Sequence, residues 1–159
     1  MEGLGVAASG IAVVSLAVQL VGSIRDIRRF LGQVSGAPRE LKRLINLLEQ
    51  LELILQNIGM VVENQRKHNG TGDVDVDVSS SVLRAIEACE SRVATVQEVV
   101  DSAKRSSISS NRTTRALGSF KLACKKREIE DFESQLLNAI SLLNLVMTTN
   151  LTSVFSFYI

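Results

Sequence analysis

Tryptophan is absent from this chain, tyrosine and proline occur once each, and aromatic residues together make up only 4% of its 159 positions. A core built around large rings is excluded, so Leu, Val, Ile and Ala must fill it from an apolar content of 45%. With a single proline there is little to interrupt long helices. Histidine is nearly missing as well. His68 stands alone in a polar stretch, and one histidine cannot supply the paired Glu-x-x-His motifs of a di-iron bundle. No CxxC pair, HExxH helix or glycine-rich phosphate loop occurs, so the sequence points to a non-enzymatic protein without metal or cofactor. The two cysteines, Cys89 and Cys124, lie far apart in helical patterns and read as small core hydrophobes in a reducing compartment. Net charge is also lacking: 18 basic residues against 17 acidic leave +1, which argues against nucleic acid as a partner.

What the chain does have is periodicity. Its length suits one domain, 1–159, with a core large enough to stand without disulfides. Segment two, from Pro38 to about Lys67, places Leu41, Leu44, Ile45, Leu48, Leu51, Leu55, Ile58 and Val62 in one stripe. Segment three, from Ser81 to about Arg105, repeats Val82, Ile86, Cys89, Val93, Val96, Val100 and Ala103 at alternating spacings of four and three, the pattern of a bundle seam. Segment four, from about Thr114 to Asn150, has a basic opening around Lys121, Lys125, Lys126 and Arg127. It continues as a stripe of Ile129, Phe132, Leu136, Ile140, Leu143 and Met147. Gly118 marks a candidate break between a short helix and this long one. Residues 68–80 and 106–113 read as polar loops, and the ending from Val154 to Ile159 as aromatic and β-prone. The expected fold is all-α, an antiparallel bundle of four long helices.

Segment one is different, because no charged residue occurs between Gly3 and Ile24. Twenty-two helical residues span about 33 Å, enough to cross a hydrocarbon core. Glu2 precedes the run and the first basic residue, Arg25, follows it, which is the wrong polarity for a signal peptide. Small residues such as Gly3, Gly5, Ala7, Ala8, Ser9 and Gly10 permit close helix approach in a soluble bundle and in lipid alike. Both environments stay open on this evidence. Arg25, Arg28 and Arg29 then form a basic flank suited to anionic headgroups, or simply a solvated face.

The order of these features resembles the fungal HeLo-like family, the N-terminal domain of many STAND (NLR-type) receptors and ankyrin proteins. The residues that carry it are the opening Met1-Glu-Gly-Leu-Gly-Val-Ala-Ala-Ser-Gly-Ile-Ala12, the run Leu16-Ala-Val-Gln-Leu20 and the turn Gly36-Ala-Pro38-Arg-Glu-Leu41. The basic-to-acidic stretch Phe120 to Glu130 and the apolar helix from Leu136 complete it. The resemblance implies a four-helix domain that forms a homo-oligomer and inserts its first helix into membrane phospholipids in cell death or immune signalling. Its location would be cytoplasmic, with recruitment to the plasma membrane, and a downstream receptor region or signalling protein is a further expected partner. The inserting segment so implied contains Leu4, Val6, Ile11, Val13, Val14, Leu16, Val18, Leu20 and Val21. Glu2 becomes a pore-mouth carboxylate, Gly3, Gly5 and Gly10 packing glycines, and Arg25, Arg28 and Arg29 a headgroup collar. The alternative is a soluble module that regulates a larger STAND receptor with its first helix permanently buried.

Overall fold

The computed structural model describes residues 2–33, 38–68, 76–107 and 126–156, without the side chains of 2–9, 66, 68, 76–79, 106–107 and 150–156. Within them lie four helices of about thirty residues each and no strand: α1 (Glu2–Gly32), α2 (Arg39–His68), α3 (Val76–Ser107) and α4 (Lys126–Ser156). The chain is an all-α bundle, as its periodicity predicts. Pro38 accepts a hydrogen bond from the Lys42 amide at 3.2 Å and so opens α2, where its own missing N–H costs nothing.

Side-chain pairs set the directions of the helices. Arg28 of α1 reaches Glu49 of α2 at 3.3 Å while Gly10 faces Val62, so α1 and α2 run antiparallel. The Lys104 ammonium sits 5.8 Å from the centre of the Phe30 ring, bringing the last turns of α1 and α3 together. At the opposite pairing, Glu40 meets Lys126 at 3.7 Å and Arg43 meets Glu133 at 3.3 Å, so α2 and α4 start side by side. The main contacts join α1 to α2 and α3, and α4 to the same two helices. Consecutive helices α2 and α3 therefore occupy opposite corners of the square. α1 and α4 fill the other diagonal, and neither is enclosed on all sides.

The stripes read from the sequence meet in one core. Ile24, Ile27, Leu31, Leu44, Leu48, Leu51, Leu55, Ile58, Ile86 and Val100 are fully buried, and every member of the α3 seam from Val82 to Ala103 is buried with them. Each such aliphatic side chain contributes roughly 1.5–3 kcal/mol by leaving water. Ile45, Val62 and Met147 pack at the margin.

The sequence reading differs from the structure at the helix ends. The stretch 68–80 expected as a loop is helical at His68 and again from Val76, and the expected loop 106–113 is helical through Ser107. Once the buried stripe nucleates a helix, each added residue gains a hydrogen bond at little cost, so polar ends extend it. For the same reason α4 continues through Val154, Phe155 and Ser156, where a β-prone tail was expected. The proposed short helix around Gly118 lies outside the described residues, as do Gly36, Lys121, Cys124 and Lys125.

Leu48→Ala is expected to lower stability by about 2–5 kcal/mol through lost burial and a cavity. Exposed Leu53→Ala should change it by no more than about 0.5 kcal/mol. Urea unfolding monitored by helicity checks both, with the midpoint moving and the slope constant.

Candidate functional site

Every charged residue of α1 other than Glu2 lies beyond Ile24, so its first two dozen residues cannot build a charged outer face. The inner face is ordinary: Val13, Ala17, Leu20, Val21 and Ile24 are buried at helical spacing. The outer face consists of Ile11, Ala12, Ser15, Val18, Gln19 and Gly22, with Val18 65% exposed. Outer faces are charged through Lys42, Arg43 and Glu49 on α2 and Arg84, Glu87, Glu90 and Glu98 on α3, whereas α4 beyond Glu133 is also uncharged but is mostly polar there, through Ser134, Asn138, Ser141, Asn144 and Thr148 beside exposed Leu137 and Leu145. In Gly10–Gly32 the most apolar window has a mean hydropathy of 1.5, yet only 39% of it is buried. It is long and apolar enough to cross a membrane, a property it shares with many soluble core helices.

Of the residues expected to insert, Val13, Leu20 and Val21 point into the core, Val14 and Leu16 are half-buried, and Ile11 and Val18 face outward. Gly10 is buried against α2, with room for a methyl group 3.9 Å from Val62 Cγ1. Glu2, Gly3, Leu4, Gly5 and Val6 are helical in backbone, and their side chains lie outside the described set.

The basic flank is engaged with α2. Arg25 Nε donates to Glu52 Oε1 at 2.7 Å, and an Arg28 terminal nitrogen donates to Glu52 Oε2 at 2.5 Å. The other Arg28 terminal nitrogen lies 3.3 Å from Glu49 Oε1, and Gln56 Nε2 donates to Glu52 Oε1 at 3.3 Å. Arg29 instead pairs with Asp26 on its own helix at 3.1 Å. Glu52, 7% exposed, is the one buried charged residue among those described. Burial alone would raise its pKa, but hydrogen bonds and charge from Arg25 and Arg28 outweigh that and hold the carboxyl below its usual 4.5. Arg28 Nε is buried with no hydrogen-bond partner. The sequence reading missed Glu52, although its place beside Leu48, Leu51 and Leu55 on α2 was a visible signal.

Above this cluster α1 and α2 part to leave a groove of about 800 Å³, lined by Val14, Val18, Val21, Leu55 and Met60 and by Gly22 and Gly59. Beyond its own helix backbone, neither glycine has an atom within 4 Å of where a Cβ would stand. Arg25 and Gln56 mark one end of the groove, Glu63, Asn64 and Lys67 the other. Cys89 belongs to the core: its thiol faces the Ala139 carbonyl at 3.9 Å, and burial pushes its pKa up to about 11. It is therefore a protonated packing residue rather than a nucleophile. Among the described residues no cluster of three His, Cys, Asp or Glu side chains could hold a metal ion.

Two predictions follow from these contacts. The folded chain binds a proton at Glu52 less tightly than the unfolded chain, so this carboxylate's contribution is complete above its ordinary 4.5 and is lost as pH falls through the lower folded value. In urea melts across that acid range, Glu52→Gln should show a shallower loss of stability than the parent, whereas near neutral pH the gap between them should be constant. Gly22→Ala and Gly59→Ala should each raise stability by about 0.5–1 kcal/mol, seen as a higher urea midpoint, because alanine is the better helix former and its methyl meets no neighbouring helix.

Compared with family models, curated proteins and solved structures, the chain matches none.

Proposed function

We propose that this chain is a membrane-targeting, oligomerising domain of cell-death or immune signalling, cytoplasmic at rest and recruited to the plasma membrane when its N-terminal helix inserts. The single observation that carries the reading is the uncharged outer face of α1, where Ile11, Val18 and Gly22 meet water although the fold has no need of apolar groups there. A helix that is apolar on both faces loses little on moving from a bundle into hydrocarbon, whereas a charged outer face would oppose the transfer strongly. The HeLo-like resemblance supplies the biological setting: a fungal STAND-type system, Glu2 at the tip of the inserted segment, and Gly3, Gly5 and Gly10 at the contacts between first helices of a homo-oligomer.

One observation favours a second reading. The apolar groove between α1 and α2 suits a soluble interaction module in which a helix of a larger receptor or signalling protein docks while α1 stays in place.

Val18→Glu separates the two. Being on the surface, the substitution should alter folding stability by no more than about 0.5 kcal/mol. An acidic residue within an inserted helix costs up to about 2.5–3.5 kcal/mol, reached at its centre, so dye release from anionic vesicles should fall by about one to two orders of magnitude. Leu145→Glu, on the exposed face of α4, serves as control and should leak like the parent. Absence of leakage by the parent, or equal leakage by Val18→Glu, would overturn the membrane reading.

A further inference from the structure

The polar links between α1 and its neighbours are few. Between Glu2 and Arg25 α1 carries no charge, and its buried side chains there are apolar. Such side chains hardly discriminate between a bundle and a bilayer, because hydrocarbon receives Val13, Leu20 and Ile24 as readily as a core does. What distinguishes the two states is the pairing of Arg25 and Arg28 with a carboxylate that cannot follow them. Glu52 belongs to α2, is almost fully buried, and holds both guanidiniums at hydrogen-bond distance.

We propose, resting on the membrane reading above, that Glu52 is the latch retaining α1 in the bundle and that phosphate groups of anionic lipid headgroups open it by taking over Arg25 and Arg28. The geometry supports such an exchange. Arg25 is 55% exposed and Arg28 28%, so an external anion reaches both without disturbing the core. Both lie just past the uncharged run, where an inserted α1 would place them at headgroup level. Arg28 Nε is buried without a partner in the closed state, so once the side chain leaves Glu52 a phosphate oxygen offers this nitrogen a bond that Glu52 and Glu49 do not. The carboxylate left behind would be buried without its cations. It then takes a proton or turns to water, which makes reclosure competitive with the lipid rather than automatic.

Amide hydrogen exchange on the full chain tests the latch before any membrane is added. In Glu52→Gln the amides of residues 13–31 should exchange at least tenfold faster than in the parent, with those of residues 129–143 in α4 unchanged. The double variant Arg25→Gln with Arg28→Gln breaks the same link from the other side and should do the same, which covers failure of either protein to fold. Equal acceleration in α1 and α4, or none in α1, would overturn the latch. With the parent chain, vesicles containing phosphatidylglycerol should accelerate α1 exchange, whereas phosphatidylcholine vesicles and inorganic phosphate at matched phosphate concentration should not. Equal opening by inorganic phosphate would reassign the ligand to a soluble anion and overturn the lipid exchange. If Glu52→Gln frees α1 in buffer but no protein releases dye from vesicles, the latch stands and the membrane reading falls.

Discussion

A helix without charge over two dozen residues must still present one side to water when it sits at the corner of a four-helix square. That constraint governs the bundle. Each corner helix covers its inner face against two neighbours and leaves an outer arc, which α3 and the first halves of α2 and α4 fill with Lys, Arg, Glu and Asp, while α4 beyond Glu133 leaves it to Ser, Asn, Thr and the exposed Leu137 and Leu145. α1 fills it with Ile11, Ala12, Ser15, Val18, Gln19 and Gly22. Isolated exposed aliphatics are common on soluble proteins, but a helix whose entire outer arc is neutral loses the usual signal that tells it which side is out. The orientation of α1 is then fixed by the relative bulk of its two sides and by the charged residues at its end.

Those charged residues act on the register as well. Two arginines one turn apart converge on one carboxylate, which fixes the rotation of α1 about its axis and its height against α2. An apolar stripe of Val, Ala and Leu alone would tolerate sliding, since small aliphatics interdigitate at more than one register. A buried ion pair adds little net stability compared with a well-packed apolar replacement, yet losing one partner is costly because the other is stranded. Glu52 thus contributes specificity of placement more than depth of the energy well, and a device of that kind is reversible once a better anion arrives.

The legibility of this fold followed the physics of each feature. The α3 seam from Val82 to Ala103 and the stripes of α2 and α4 were readable because burial imposes a period on the chain itself. Boundaries were not: His68, Val76 and Ser107 are polar or isolated residues at helix ends, and cooperative extension carries the helix past the point where the apolar pattern stops. The inner and outer halves of α1 were also hidden, because a segment apolar all round has no moment to reveal which side packs. Assigning Ile11 and Val18 outward needed the neighbours in place. The partners of Arg25 and Arg28 were hidden for a further reason. The contact joins residues 27 and 24 positions apart, beyond any local periodicity, and only antiparallel pairing brings them together.

Under the latch proposal, the groove beside Glu52 bears on how α1 would leave α2. Gly22 and Gly59 weaken α1 and α2 at the same level, with no atom of the chain packed where their side chains would be. Helix interiors lose roughly 0.5–1 kcal/mol at each glycine relative to alanine, so both helices are weakened where they line the groove, on the N-terminal side of Arg25. Local opening is drawn from regions of low contact density. An α1 that separates from α2 would therefore begin at the groove, with the Glu52 cluster as the last polar tie between the two helices. Placing the soft segment upstream of the clamp lets apolar contacts loosen without committing the helix, and leaves commitment to the residues that meet charge.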